Sequence, residues 1–293
     1  MFSTRLTAAM AAHGPVCVGI DPHDHLLQTW GLPRSAAGVR EFGLRTVEAL
    51  AGTVAAVKPQ AAFFERFGSA GVAALEDTLA ACREQELLTI LDVKRGDIGS
   101  TMAGYAEAHL LPDSPLSADA ITVSPYLGVG ALAAAFDLAA AHDRGLFVLA
   151  LTSNPEGADV QHARTGADAP GFGDSVAGSV AAAVAARNAE LTGGAGELGP
   201  FGLVVGATIG SAARDLGFDP SACGGPLLTP GVGAQGAGRD ELLDVFGPEA
   251  LARHQVVVAV SRAVLAAGPA GLAEAARSLN ASLTVPPPES AGR

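Results

Sequence analysis

Lysine occurs only twice in the 293 residues, at Lys58 and Lys94, which leaves 16 of the 18 basic residues as arginine. Arginine keeps its proton in every protein setting, whereas a partly buried lysine can have its pKa tuned by its surroundings. Each lysine is therefore a candidate for chemistry. Lys94 lies in the run Asp92-Val93-Lys94-Arg95-Gly96-Asp97. On an extended strand, the two-residue step from Asp92 to Lys94 puts both side chains on one face, with Asp97 just beyond. Joined by Lys58 from a neighbouring strand, they would form an alternating array of two cations and two anions in which each charge favours the ionised form of its neighbours. Such an array would hold a proton on Lys94 and confine its position. The same residues would also serve as a structural ion-pair network. A Mg²⁺ site built on the two carboxylates is a weaker reading, since the metal would compete with two ammonium groups.

A second constellation suits an anion. The segment from Thr229-Pro230-Gly231 to Gln235-Gly236 is rich in glycine, and Ser261-Arg262 follows a later apolar run. Glycine lets backbone N–H groups approach a phosphate closely, and Arg262 can bind it bidentately. Glycine runs alone are also ordinary turns, so their place in the fold decides their weight. The seven histidines show no H-E-x-x-H or comparable ligand spacing, and His23 with His25 reads as a solvated loop pair. No G-x-S-x-G elbow occurs. Glu65 and Arg66 read as a rim pair. Cys17, Cys82 and Cys223 stand far apart, as buried small hydrophobes in a reducing compartment would.

These groups need a scaffold that gathers them. Hydrophobic residues make up 49% of the chain and charged residues 16%, enough apolar material for a large core. The net charge of −12 would repel nucleic acid and anionic lipid. No apolar run reaches the length of a spanning helix and no signal peptide is evident, so a cytoplasmic protein is expected. Apolar, β-branched runs at 15–20, 54–57, 87–91, 120–123, 146–151, 202–207, 226–228 and 255–260 predict eight strands. Helical stretches at 38–51, 69–84, 129–141, 175–191, 239–246 and 269–279 lie between them. This alternation predicts an α/β fold, a single-domain (β/α)₈ TIM barrel over 1–284, with a disordered Pro-rich tail at 285–293. A doubly wound sheet would show a G-x-G-x-x-G after its first strand, where Gly19-Ile20-Asp21-Pro22 stands instead. In a barrel the site forms at the carboxyl ends of the strands. Polar groups follow nearly every one of the predicted runs, and the phosphate-type segments fall after the seventh and eighth. The stretch 156–173 is too long for a tight turn and predicts a mobile loop.

Thr89-Ile90-Leu91-Asp92-Val93-Lys94-Arg95-Gly96-Asp97-Ile98-Gly99-Ser100-Thr101 resembles the D-x-K-x-x-D-I-x-x-T signature of orotidine 5′-phosphate decarboxylases, in their longer bacterial branch. Gly19-Ile20-Asp21-Pro22, Val57 to Glu65, Thr152-Ser153-Asn154-Pro155, Thr229-Pro230-Gly231 and Val260-Ser261-Arg262 extend the resemblance over nearly the whole barrel. It implies cofactor-independent and metal-free decarboxylation of orotidine 5′-monophosphate to uridine 5′-monophosphate, the last step of de novo pyrimidine nucleotide synthesis. By the same resemblance Lys94 is the proton donor, Asp92 faces the substrate carboxylate, and Asp21 and Lys58 contact the ribose. Ser153 contacts the pyrimidine, and Pro230, Gln235 and Arg262 lie on the phosphate side. Asp97, Ile98 and Thr101 would reach into the partner subunit's site, which implies a homodimer. Two other readings remain: a Mg²⁺-dependent sugar-phosphate decarboxylase on the same barrel, against which Lys58 speaks because an acidic residue would be expected there, and a nucleotide-binding barrel without catalysis.

Overall fold

The computed structural model of the protein describes residues 1–166, 174–193, 196–233 and 236–284. The apolar runs become strands β1 (Val16–Ile20), β2 (Ala56–Pro59), β3 (Leu88–Arg95), β4 (Ala120–Val123), β5 (Gly145–Leu151), β6 (Phe201–Val205), β7 (Leu227–Pro230) and β8 (Val256–Val260). Each pairs in parallel with its sequence neighbour. β8 returns to β1 through Val16↔Val258 and Val18↔Val260, closing the barrel. Closure buries both faces of a strand, which is why β1 and β8 are apolar and buried along their whole length.

The two faces feed two cores. Cys17, Ala56, Ile90, Ala120, Phe147 and Val257 form a cluster inside the barrel. Val18, Val57, Leu91 and Ile121 pack outward against Val39, Phe42, Leu79 and Val184 of the surrounding helices. The base of the barrel is covered by a helix absent from the expected stretches, Phe2–His13. Its Phe2, Leu6 and Met10 join the inner cluster, and the Phe2 ring meets Phe147 edge-on at 6.2 Å. Gly145 makes room for that ring, since a Cβ there would lie 2.2 Å from Phe2 Cδ1. Arg5 pins the helix to Asp119 at 2.6 Å. Asn280 of the last helix accepts from Val16 N and donates to His13 O, tying the end of the barrel to its start.

Several boundaries differ from the expected ones. β2 starts at Ala56 and runs to Pro59, so Lys58 belongs to the strand and does not merely follow it. A further unanticipated helix, Gly99–Leu110, begins directly after the Asp97-Ile98 pair. The helix Arg239–Ala252 breaks at Gly247, φ 75°, just before Pro248, so its first part ends where the sequence pattern ends, at Phe246. In the long stretch after β5, short turns of helix cover Pro155–Gly157 and Ala158–Gln161, and Arg164 bridges to Ser175. Residues 167–173 of that expected mobile loop, and the expected tail 285–293, lie outside the described residues.

Candidate active site

The inward face of each strand alternates, so the layer above Ala56, Ile90 and Ala120 belongs to Lys58, Asp92 and Thr122. Asp92 is buried at 6% exposure and its carboxylate is fully engaged. Lys58 Nζ donates to Oδ2 at 3.0 Å, while Lys94 Nζ at 2.6 Å and the Thr122 hydroxyl at 2.7 Å both donate to Oδ1. Gln60 closes the other side, accepting from Lys58 Nζ at 3.4 Å. Burial alone would raise the Asp92 pKa, but the charges of Lys58 and Lys94 outweigh it and hold the carboxyl down at about 2. For Lys58, burial would strip the proton, yet Asp92 and Asp21 overcome it and the pKa is raised. Both ammonium groups thus share one committed anion.

Asp92 and Lys94 meet for a reason other than simple alternation. Lys94 has φ 45°, in the left-handed region that a side chain with a Cβ disfavours. The β3–β4 register slips there, from Leu91↔Ile121 to Arg95↔Val123. This bulge turns the Lys94 side chain back over Asp92 at the barrel mouth, where it is 48% exposed but ion-paired.

The expected quartet is a triad within one chain. The Asp97 carboxylate accepts from Ile98 N at 2.8 Å. Ile98 is 62% exposed and Thr101 is also exposed, so both side chains of this segment face solvent. Glu65 and Arg66 do not pair with each other: Glu65 takes Arg95, and Arg66 takes Asp24 at 2.8 Å.

Beside the triad lies a cavity of about 490 Å³ between β1, β7 and β8, lined among others by Asp21, Lys58, Pro230, Gly231, Ser261 and Arg262. Gly19 keeps it open, because a Cβ there would stand 2.9 Å from Asp21 Oδ2. Asp21 Oδ1 and Ser261 Oγ are buried without a hydrogen-bond partner. The residues that carry these two oxygens line one cavity together with an arginine, a setting that fits a polar ligand bearing hydroxyls and an anionic group. Ser153 stands at the end of β5 against Gly206 and is not among the residues lining this cavity. Gln235 lies outside the described residues. His23 and His25, expected as a solvated loop pair, are half-buried and exposed respectively and line this cavity, with His23 packed edge-on against Phe63 at 4.3 Å. Thr122 and Gln60 escaped the sequence reading. The signal was present in the two-residue step from Ala120 to Thr122 and from Lys58 to Gln60.

A family model described as "Orotidine 5'-phosphate decarboxylase / HUMPS family" matches residues 14–278. The orotidine 5′-phosphate decarboxylase of Salinispora arenicola is 56% identical over 268 residues, 92% of this chain and 91% of that protein. A solved chain from Streptomyces avermitilis is similar with a TM-score of 0.88 at 51% identity, covering 96% of this chain and 94% of its own. The Leishmania donovani OMP decarboxylase structure is similar with a TM-score of 0.74 at 30% identity, covering 96% and 97%.

Proposed function

The chain belongs to the orotidine 5′-phosphate decarboxylase / HUMPS family, and from that premise we infer that it decarboxylates orotidine 5′-monophosphate to uridine 5′-monophosphate and CO₂, closing de novo pyrimidine nucleotide synthesis. The observation that carries the reading is the Lys58–Asp92–Lys94 chain of contacts at the barrel mouth, next to a cavity with unsatisfied oxygens and an arginine. The curated relatives at 49% to 56% identity bear the decarboxylase name, which favours this activity over the sugar-phosphate branch.

The chemistry follows from the triad. When the bond from C6 of the pyrimidine to its carboxylate breaks, CO₂ departs and the electron pair stays on C6. Lys94, charged and held beside Asp92, stabilises that pair and then gives C6 a proton, leaving a neutral amine that solvent reprotonates. Asp92 opposes the substrate carboxylate, worth at most about 4 kcal/mol for unit charges 4 Å apart at an effective dielectric of 20, so it assists and does not dominate. Lys58 spans Asp92 and the ribose side, where Asp21 waits with its free oxygen. Arg262, with Pro230-Gly231 and Gln235, takes the phosphate, and Ser153 takes the pyrimidine. Binding energy from the phosphate is available to close loops over the reacting end. No metal or organic cofactor enters this scheme.

The partner's Asp97 would complete the array next to Lys94, with Ile98 and Thr101 lining the shared site of a homodimer. In support, Ile98, Tyr126 and Leu127 are 62%, 78% and 55% exposed and lie just beyond β3 and β4, an apolar face that a second copy would cover. The reading also assigns the enzyme to the cytoplasm. No helix among the described residues is long and apolar enough to cross a membrane.

The test is ultraviolet monitoring of orotidine 5′-monophosphate with purified protein in EDTA. Loss of the orotate absorbance is expected, and a strict Mg²⁺ requirement would favour the sugar-phosphate reading. Lys94→Ala is expected to lower kcat by at least about 10³-fold while still binding uridine 5′-monophosphate.

A further inference from the structure

Thr122 occupies a singular place in the barrel. Between the pairs Leu91↔Ile121 and Arg95↔Val123, the three residues Asp92, Val93 and Lys94 stand opposite Thr122 alone. The extra residues of β3 have left the regular ladder, and their backbone groups need other partners. The Thr122 hydroxyl supplies one, accepting the Lys94 backbone N–H at 2.9 Å. Its single hydrogen goes to Asp92 Oδ1 at 2.7 Å, the same oxygen that takes Lys94 Nζ at 2.6 Å. A closed ring results: the Lys94 backbone N–H donates to Thr122, the Thr122 hydroxyl donates to Asp92, and the Lys94 ammonium donates to the same Asp92 oxygen. Thr122 is 1% exposed, so water has no access to replace it.

We propose that Thr122 is a positioning residue for the decarboxylation, whose hydroxyl holds Lys94 in its left-handed conformation and so sets where the ammonium meets C6. The inference rests on Lys94 being the proton donor. Ion pairing to Asp92 alone leaves a flexible four-carbon stem free to swing, whereas the ring ties the backbone and the tip of the same residue to one carboxylate oxygen. Removing the hydroxyl leaves the part-buried Lys94 N–H without this partner and lets the bulge relax. Uridine 5′-monophosphate carries no carboxylate and needs no proton, and on the proposed reading its ribose and phosphate are taken by Asp21, Lys58 and Arg262, so its binding is expected not to depend on this ring.

The experiment compares wild type, Thr122→Val, which keeps the shape without the hydroxyl, and Thr122→Ser, which keeps the hydroxyl. For each, kcat, dissociation of uridine 5′-monophosphate and thermal unfolding are measured. Thr122→Val is expected to lose about 10- to 100-fold in kcat, with nucleotide affinity within about threefold of wild type. Thr122→Ser is expected to retain kcat within about threefold. If Thr122→Val does not fold, Thr122→Ala is read in its place. A Val or Ala variant with wild-type kcat overturns the proposal, as does a Ser variant that loses as much as Val. A wild-type protein that leaves orotidine 5′-monophosphate intact overturns the underlying reaction instead.

Discussion

Asp92 sits at the junction of stability and the proposed chemistry. Its folded pKa of about 2 lies below the ordinary 3.8, so it contributes stability that is fully present above pH 3.8 and is lost as pH falls towards 2, about 2 kcal/mol in all. Asp92→Asn strands two ammonium groups, one of them largely buried, and is expected to cost about 3 kcal/mol in urea denaturation as well as turnover. His109 acts in a different pH range. Burial, reinforced by the charge of Arg95, lowers its pKa from 6.5 to about 4, so the unfolded chain takes up a proton that the folded chain refuses. Stability present above pH 6.5 is then lost as pH falls towards 4, up to roughly 3 kcal/mol. His109→Gln is expected to flatten the fall of Tm over that interval, and an unchanged slope would contradict the assignment. At this scale the sequence was most legible where residue type is scarce. Two lysines among 18 basic residues led straight to the triad. The left-handed turn at Lys94 was illegible, because nothing local marks it: it is imposed by the neighbouring strand.

Among the elements, the strands were easiest to read, since a closed parallel sheet buries both faces and leaves continuous β-branched runs. Their ends were harder. The apolar run 54–57 predicts β2 two residues early because Lys58 breaks it, yet inside a barrel mouth a charged side chain can continue the strand's inward row. The helix Phe2–His13 carries its signal in only three large residues spaced by four, among alanines. Its fit is tight. Gly145→Ala drives a methyl group into the Phe2 ring and is expected to cost about 1–3 kcal/mol, and Phe2→Ala about 3–5 kcal/mol. The double variant should lose less than the sum, because the smaller side chain makes room for the added methyl. KM and kcat are expected to stay near wild type in Gly145→Ala, since the substitution lies at the end of the barrel away from the triad.

At the scale of the whole molecule, the proposed shared sites make a quantitative prediction. Lys94→Ala and Asp97→Ala, each nearly inactive alone, are mixed under conditions that exchange subunits. A heterodimer then holds one site with both residues intact, so an equal mixture is expected to recover roughly a quarter of wild-type activity. A mixture no more active than its components would mean that each chain builds its site unaided. The proposed assembly is not legible in composition or periodicity, because an interface is written in exposed side chains that a single chain gives no reason to bury. The covered base has a corollary for traffic. With the N-terminal helix stoppering the lower end and side chains filling the lumen, the barrel is a cul-de-sac. Among the described residues the opening lies at the upper end, so CO₂ released beside Asp92 in the proposed reaction would leave through the doorway by which the nucleotide is expected to enter.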